Sequence, residues 1–276
     1  ADSLIVIAQD DGTAALQECA AVDESAFQRA PNAPDAPHTL LVLGCSDLLK
    51  QILLEEDAYA APGSTVIIAA EQGKIDADAL PEQESLSNIR LELRSCKIFS
   101  RRVLERLVAE RPSSILLVSD TGLDAEEADA RTLMLQLQLT DIAQEIGSAI
   151  PLTIEMNSTR NQKLSQMMRA TDFVVSSRIT AKMMAQIAEQ RHKKAILNNL
   201  LSDSGPSICM KPVTRYVLPG KPVDFYTLGA SAARYGEIAI GYKKMQGDGS
   251  FTIEVNPHSK AATEFSEHDD LIVVAS

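Results

Sequence analysis

The stretch that decides the fold is HTLLVLGCSDLLKQILLEEDAYAAPGSTVIIAAE, residues 38–71. It predicts a strand over Thr39–Leu43, a tight turn, a helix over Ser46–Tyr59 and a second strand over Ser64–Ala70. Apolar residues at helical spacing give the helix one buried face, and the Pro-Gly pair at 62–63 ends it. Two strands joined by one such helix are parallel and cross over right-handed. We therefore expect a ligand crevice above the end of the first strand.

The turn after the first strand carries a degenerate phosphate-binding motif. Dinucleotide sites use Gly-x-Gly-x-x-Gly, because the backbone must approach a pyrophosphate. Only Gly44 is kept here, since Ser46 and Leu49 occupy the other two positions and Asp47 adds a negative charge beside the helix start. We predict a nucleotide-binding type of fold that has lost its nucleotide, with a crevice ligand site at Gly44, Ser46, Asp47, Glu71 and Asp120. Glu71 stands where an acid would bind a ribose, and its alternative interpretation is a solvated carboxylate at a strand end.

The composition describes an acidic globular protein. The 276 residues are 45% hydrophobic and 23% charged, with a formal net charge of −12. This charge argues against nucleic-acid binding, which requires a basic surface. Four scattered cysteines without metal-ligand spacing indicate reduced thiols of a cytosolic protein. We expect no signal peptide and no membrane span within this chain, because no apolar run approaches about 18 residues.

The residues after the opening unit continue the alternation of strands and helices. Further strands are predicted over Ile89–Arg94, Ser113–Asp120, Leu152–Met156 and Asp172–Ser176. The helices between them are predicted over Ser100–Glu110, Asp124–Ile146 and Thr159–Ala170, and the Leu/Met run of residues 133–139 is expected to face the sheet. Six strands alternating with helices make a doubly wound α/β sheet over residues 38–176.

A long helical pattern follows the sixth strand. It is predicted over Ser177–Ser202 and is interrupted by the basic run of residues 191–194. Its apolar stripe is longer than the sheet can cover. We therefore predict a crossover helix-turn-helix over residues 177–204 that contacts a dimer partner. The interface residues are expected to be Ile179, Met183, Met184 and Ile187.

The last part of the chain, residues 205–276, no longer follows the alternation of parallel strands and helices. It predicts a strand over Ile208–Val217, a helix over Asp224–Tyr235, a hairpin over residues 237–255 and a closing strand, and so a small α+β lobe. The closing segment HDDLIVVAS, residues 268–276, nearly copies the opening ADSLIVIAQDD, residues 1–11. The repeat suggests that residues 1–11 are the last strand of a preceding unit and residues 12–37 a linker, with chance similarity as the alternative.

One acidic cluster is a candidate cation site. It contains Asp120, Asp124, Glu126, Glu127 and Asp129 at a strand end and the following helix start. Hard cations take several oxygen ligands from such a region, and the metal ligands are predicted as Asp120, Asp124 and Glu127. Helix capping and a solvated face are the alternative explanation. Arg131 and Arg160 are expected to bind an anion in the crevice or to form helix-surface salt bridges.

The order of elements resembles the cytoplasmic C-terminal region of CASTOR/POLLUX-type ion channels, which is built from RCK (regulator of K⁺ conductance) domains. The resemblance covers nearly the whole chain. It rests on residues 2–11, 40–71, 113–120, 129–142 and 268–275, and above all on residues 170–217, ATDFVVSSRITAKMMAQIAEQRHKKAILNNLLSDSGPSICMKPVTRYV. The chain departs from the family by lacking a pore, a filter motif and all of the first RCK unit except its last strand.

The resemblance implies an α/β, Rossmann-like N-lobe, crossover helices and a small α+β C-lobe that assemble as a homo-oligomer. In the family, RCK units pair through crossover helices and form a ring beneath a tetrameric pore, at the cytoplasmic face of the membrane. The ring of the plant members is associated with calcium, so Ca²⁺ or another cation is the expected ligand. None of the residues here can be matched one by one to the family's calcium ligands.

We therefore expect a non-catalytic, ligand-sensing module that acts on the pore domain of the same full-length cation channel. One alternative is a soluble nucleotide-binding protein or NAD(P)-dependent oxidoreductase, against which the broken glycine motif and the lack of an acid/base pair argue. Another is a scaffold that assembles without a ligand.

Overall fold

The computed structural model describes residues 21–28, 36–76, 80–147, 150–158, 173–190, 192–201, 205–247, 250–258 and 261–275. The strand predicted over residues 1–11, the helix predicted over residues 159–170 and Arg160 lie outside these ranges. The chain divides into two compact units, Asp35–Lys194 and a second one formed by Ala1–Pro34 with Ala195–Ser276. They are called the large unit and the small unit below.

The large unit is built on a six-stranded parallel sheet. Its strands are β1 (Thr39–Leu43), β2 (Ser64–Ala70), β3 (Ile89–Ser95), β4 (Ser114–Leu117), β5 (Leu152–Met156) and β6 (Phe173–Val175). They lie side by side in the order β3-β2-β1-β4-β5-β6. This order reverses between β1 and β4, and in doubly wound folds the ligand crevice lies at that point. The prediction of a Rossmann-like sheet is confirmed.

Helices cover both faces of this sheet. They are α1 (Leu49–Tyr59), α2 (Arg101–Ala109) and α3 (Ala125–Ile146), followed along the chain by α4 (Ser176–Glu189) and α5 (Lys193–Leu200). Successive β1 residues point to opposite sides of the sheet. Leu41 and Leu43 pack in the core cluster that contains α2 and α3 residues. Leu40 and Val42 pack in the cluster that contains α1 residues. Burial on both faces explains why β1 and β2 are continuously apolar.

Several predicted boundaries differ from the structure. The first helix begins at Leu49 rather than Ser46, because residues 45–48 form a turn in which the Leu48 amide donates to Ser46 Oγ at 3.3 Å. The fourth strand ends at Leu117, three residues before Asp120. The helical pattern over Ser177–Ser202, predicted as a helix-turn-helix, forms two helices, α4 and α5, with the break at the predicted basic interruption.

The prediction that the whole Leu/Met run of α3 faces the sheet is wrong. Leu135 and Leu139 are buried, whereas Met134 and Leu137 are about half exposed. An α-helix has 3.6 residues per turn, so the five Leu and Met side chains spread over residues 133–139 cannot all face one sheet.

The described residues of the small unit include a four-stranded antiparallel sheet, a further α-helix and most of α5. Its strands are β7 (Ser207–Pro212), β8 (Ile238–Met245), β9 (Phe251–Val255) and β10 (Asp270–Ala275), in the order β7-β10-β8-β9. The helix α6 (Phe225–Ala233) is capped by Asp224, whose carboxylate accepts a hydrogen bond from the Thr227 amide at 2.8 Å. The strand predicted to run to Val217 ends at Pro212, beyond which residues 213–215 form a 3₁₀ turn.

Residues 21–28, within the predicted linker, are part of the small unit. Ala26 is fully buried in the core cluster of this unit. The Gln28 amide donates to Tyr216 O, and the Leu218 amide donates to Ala26 O, both at 2.9 Å. Asp23 pairs with Lys221 at 2.7 Å. This segment, which we call the N-terminal strap, is therefore held by residues about 190 positions later in the chain.

Candidate ligand crevice of the large unit

The crevice begins where β1 and β4 diverge, at Gly44. This residue has φ +105°, and a Cβ atom there would lie 2.6 Å from the backbone oxygen of Val118. The Gly44 amide donates to Ala69 O, and the Val118 amide donates to Leu43 O, both at 3.0 Å. Close approach of two strand ends therefore explains why the first glycine of the motif is retained without the other two.

An ion pair stands at the mouth of the crevice. Lys74 Nζ lies 2.9 Å from Asp120 Oδ2, and the Gly122 amide donates to Asp120 Oδ1 at 3.0 Å. Burial raises the pKa of Asp120, but the hydrogen bonds from Lys74 and Gly122 outweigh it and hold the pKa below its ordinary value. Asp120 is therefore a carboxylate at neutral pH and is already paired with a cation of the chain.

A second set of charges lies on the α3 side of the crevice. Arg131 donates to Glu127 Oε1 at 2.9 Å, and its guanidinium lies 3.9 Å from Glu71 Oε2. It also stacks over the Phe99 ring at 5.7 Å. Arg131 thus lines the crevice and forms the predicted helix-surface salt bridge, while binding of an anion by this residue stays a prediction.

The space inside the crevice is small. Its accessible volume is about 30 Å³, lined by Gly44, Glu71, Lys74, Asp120 and Arg131 over an apolar floor that includes Phe99. An adjoining cavity of about 380 Å³ is lined by Ser46, Asp47, Lys50, Asp76 and Thr121. Both cavities share Cys45, Lys74 and Asp120. Small-molecule sites usually occupy about 300–1,000 Å³, so only the adjoining cavity reaches that range.

The five predicted crevice residues are therefore divided between two neighbouring spaces. Gly44, Glu71 and Asp120 line the smaller one, and Ser46, Asp47 and again Asp120 line the larger one.

The three predicted metal ligands have separate partners. Asp124 is the N-cap of α3 and accepts hydrogen bonds from the Glu126 and Glu127 amides, both at 3.0 Å. The Glu127 carboxylate pairs with Arg131, and Asp120 pairs with Lys74. In the part of the chain that the structure describes, no three His, Cys, Asp or Glu side chains are grouped to hold a metal ion. Helix capping turns Asp124 toward backbone amides, and the structure does not bring the three carboxylates together as a ligand set.

Two roles at or near the crevice were not predicted from the sequence. Lys74 supplies the internal cation, and it follows β2 within a polar, acidic excursion. Asp129 is fully buried and accepts hydrogen bonds from the Asn157 amide at 2.8 Å and the Ser158 amide at 3.0 Å. It anchors the end of β5 beside the crevice. Its position in the acidic cluster near the start of α3 gave no indication of burial.

Cys45 lines both spaces of the crevice, and Glu237 is a buried carboxylate of the small unit. Burial, followed by the neighbouring Asp120 and Asp47 carboxylates, raises the pKa of the Cys45 thiol. A thiol with a raised pKa is a weak nucleophile at neutral pH. In the small unit, Glu237 is buried and pairs with Lys211 at 2.8 Å and Arg215 at 2.9 Å. This carboxylate is therefore part of an internal ion-pair network.

The predicted interface residues on α4 are accessible. Ile179 and Met184 are exposed, Met183 and Ile187 are partly buried, and no described residue of α4 or α5 is fully buried. The apolar stripe of α4 is thus incompletely covered within one chain. No helix of the described residues combines the length and the apolarity needed to cross a bilayer.

Comparison with known proteins identifies channel relatives along the whole chain. No protein-family model matches it. The chain is 26% identical over 312 residues to the ion channel POLLUX of Lotus japonicus. This alignment covers 100% of the present chain and 34% of the POLLUX protein. The chain is also 26% identical over 309 residues to the probable ion channel SYM8 of Pisum sativum (99% and 34% covered) and 25% identical over 307 residues to the ion channel CASTOR of Lotus japonicus (99% and 36% covered).

The chain spans about a third of the length of the curated relatives it matches. Among solved structures, the human SLO3 gating ring aligns with a TM-score of 0.59 at 9% identity and covers 86% of this chain and 44% of that one. This likeness concerns the fold alone. The resemblance predicted from the sequence is confirmed: the chain is similar over its whole length to ion channels of the CASTOR/POLLUX type, and it shares the fold of a gating ring.

Proposed function

We propose that this chain is a regulatory, ligand-sensing module of a CASTOR/POLLUX-type cation channel, located at the cytoplasmic face of the membrane. The observation that carries the proposal is the similarity to ion channels along the whole chain, together with a gating-ring fold. The module is non-catalytic and belongs to a longer protein that contains the pore. It acts as a homo-oligomer, in which units pair through the apolar stripe of α4.

The proposed mechanism is a shift between two arrangements of the assembled modules. A ligand that binds one arrangement more tightly increases its population, and the displacement of the modules is transmitted to the pore. The ligand has to bind more tightly to one arrangement than to the other, since equal affinities shift nothing. The crevice at the sheet reversal supplies a suitable location, because Glu71, Lys74 and Asp120 lie in loops that follow strands of the sheet.

A cation is the ligand class that we propose for this crevice. Asp120 and Glu71 line it, and Asp47 and Asp76 line the adjoining cavity. The Lys74 ammonium already occupies a cation position beside Asp120, so an incoming cation competes with it. A dinucleotide is disfavoured, because Ser46 and Leu49 replace the glycines that allow a pyrophosphate to approach the backbone.

The test is a thermal-unfolding series with Ca²⁺, Mg²⁺, Na⁺, K⁺, NADH and ATP, each titrated separately. A ligand of the folded state at 100 times its dissociation constant stabilises it by about 2.7 kcal/mol. For a chain of this size we expect a rise of several degrees in the melting temperature with one cation and none with NADH or ATP. The Asp120→Asn variant should lose this shift, whereas Glu267→Gln, which removes an exposed carboxylate of the small unit, should keep it.

The alternatives give different results in the same series. Micromolar affinity for NADH together with turnover of a hydride substrate would favour an oxidoreductase and contradict the proposal. A flat response to every ligand would favour a scaffold that assembles without one.

A further inference from the structure

The two faces of the small unit's sheet have different surroundings. Alternate residues of β10, namely Leu271, Val273 and Ala275, are buried in the core cluster that also contains Leu228 and Ala232 of α6. Side chains alternate between the two faces along a strand, so Ile272 and Val274 point to the opposite side, where Ile272 is buried between its neighbours and Val274 is partly buried. We call this opposite side the outer sheet face.

The strand register shows which residues share the outer sheet face. Ile272 pairs with Met210 of β7, and Val274 pairs with Ile208 of β7 and Ile238 of β8. On the other side of β8, Val255, Ile253 and Phe251 of β9 pair with Gly241, Lys243 and Met245. This pairing places the three β9 side chains on the outer sheet face. The side chains that are at least half exposed are Ile208, Met210, Ile238, Phe251, Ile253 and Val255.

This apolar surface extends across the whole sheet. Its exposed residues come from β7, β8 and β9, so it is a two-dimensional patch rather than a single strand edge. Scattered exposed apolar side chains need no explanation, but a contiguous patch of this kind marks an interaction surface. An occupant that paired only with the β9 edge would leave Ile208 and Met210, on the opposite edge strand, uncovered.

The charges on the outer sheet face are matched within the face. In the described strands it carries Lys243 and Asp270, whose side chains pair at 3.3 Å, and Lys243 also lies 5.2 Å from the centroid of the Phe251 ring. The face is therefore neutral, in a chain with a formal net charge of −12. Two copies of an acidic chain repel each other over most of their surfaces, and a neutral apolar face is where they approach at the least electrostatic cost.

We propose that the outer sheet face binds the outer sheet face of a second copy of this chain, forming a two-layered β-sandwich across a two-fold axis. Sheets that pack in this way lie about 10 Å apart with interdigitated side chains. The largest apolar patch of a typical monomer is about 300–600 Å², and a stable interface buries about 800 Å² per partner. Six large apolar side chains, together with the strand surface between them, are on that scale.

This surface is separate from the α4 stripe proposed above for pairing. A chain with two different two-fold surfaces forms assemblies larger than a dimer, because each copy binds two others. The inference goes beyond the proposed function, and it stands or falls independently of any ligand in the crevice.

The experiment measures the mass of the 276-residue chain by sedimentation over a range of concentrations. The sheet variant Met210→Lys/Ile253→Lys places four lysines in the proposed two-fold interface. We expect its dissociation constant to rise by at least about 100-fold, because each lysine would be buried without a partner. The matched control is Met134→Lys/Leu137→Lys on α3, which replaces two equally exposed apolar residues outside the face and should leave the mass unchanged.

A third variant, Met183→Asp/Ile187→Asp, separates the two surfaces. If both surfaces operate, the wild-type chain exceeds a dimer, each variant alone forms dimers, and the combined variant is a monomer. Loss of mass only in the α4 variant would overturn the sheet inference and keep the α4 pairing, and loss only in the sheet variant would do the reverse. Equal association of the sheet variant and the wild type would also overturn the inference, provided that circular dichroism shows both to be folded.

Discussion

Gly44 lies at the end of β1, where the crevice opens. Its φ of +105° is one that L side chains rarely adopt, and the backbone oxygen of Val118 occupies the space that a Cβ would need. The residue therefore combines a conformational and a steric requirement, and the second depends on β4, some 70 residues further along the chain.

We predict that Gly44→Ala lowers the free energy of unfolding by about 3 kcal/mol or more, since the clash adds to the cost of the backbone conformation. The matched control is Gly147→Ala at the end of α3, where φ is +62° and nothing lies within 4 Å of the added Cβ. The control should lose only about 1–2 kcal/mol. Urea unfolding measures both variants, and equal losses would contradict the steric role of Val118.

Lys74 and Asp120 show which crevice residues can be predicted from the sequence and which cannot. Asp120 was predicted for the crevice because it follows a buried strand at the edge where ligands bind. Lys74 was not predicted to line the crevice. Its partner Asp120 is 46 positions away, and a lysine within a polar surface segment gives no sequence signal that distinguishes it from other surface lysines.

At the scale of elements, Asp57 connects α1 to the start of β3. Its carboxylate accepts hydrogen bonds from the Ser87, Asn88 and Ile89 amides at 2.9, 2.7 and 2.9 Å. Burial raises the pKa of Asp57, but the three amides outweigh it, so the pKa lies below its ordinary value. The ionised carboxylate therefore stabilises the folded state.

We predict that Asp57→Ala costs about 2 kcal/mol at pH 7, the scale of hydrogen bonds to a charged group. Because the folded-state pKa is lowered, this contribution is complete above the unfolded pKa of about 4 and disappears as the pH falls through the folded value. Urea midpoints of the wild type and the variant should therefore converge between pH 7 and pH 3. Glu55→Ala, which changes a partly exposed residue on the same helix, should alter stability by less than about 0.5 kcal/mol. A gap between wild type and Asp57→Ala that persists at low pH would contradict the assignment.

The helix α3 shows what an apolar pattern does and does not determine. Its length, its N-cap at Asp124 and its glycine C-cap follow local rules. Which of its seven Leu/Met-run positions are buried depends on how the helix is rotated on the sheet, and that rotation is set by packing with β4, β5 and α2.

At the scale of the whole molecule, the chain forms two compact units, and the small one is not contiguous in sequence. The small unit contains residues 195–276 and the N-terminal strap, while the sheet of the large unit is formed by residues between them. Ala26 is the strap residue that is fully buried in the small-unit core.

We predict that Ala26→Asp destabilises the small unit by about 3 kcal/mol, because it buries a charge without a partner. In native-state hydrogen exchange, the amides of α6 and β10 should then exchange faster, whereas those of β1 and β2 should keep the wild-type rate. Val22→Asp, at an exposed strap position, should leave both sets unchanged. Uniform acceleration in both units would mean that they unfold together.

The sequence by itself determined the alternating β/α order, the parallel sheet, the hairpin of the small unit and the degenerate glycine motif. These depend on local periodicity, turn residues and caps, which act over fewer than about 20 residues. Only the tertiary structure decided that Lys74 fills the cation position at Asp120, that Asp124 is used as a helix cap and that residues 21–28 belong to the small unit. It also decided that one face of that unit's sheet keeps six apolar side chains at least half exposed. Each of these depends on residues brought together from distant parts of the chain, and such contacts leave no periodic signal in the sequence.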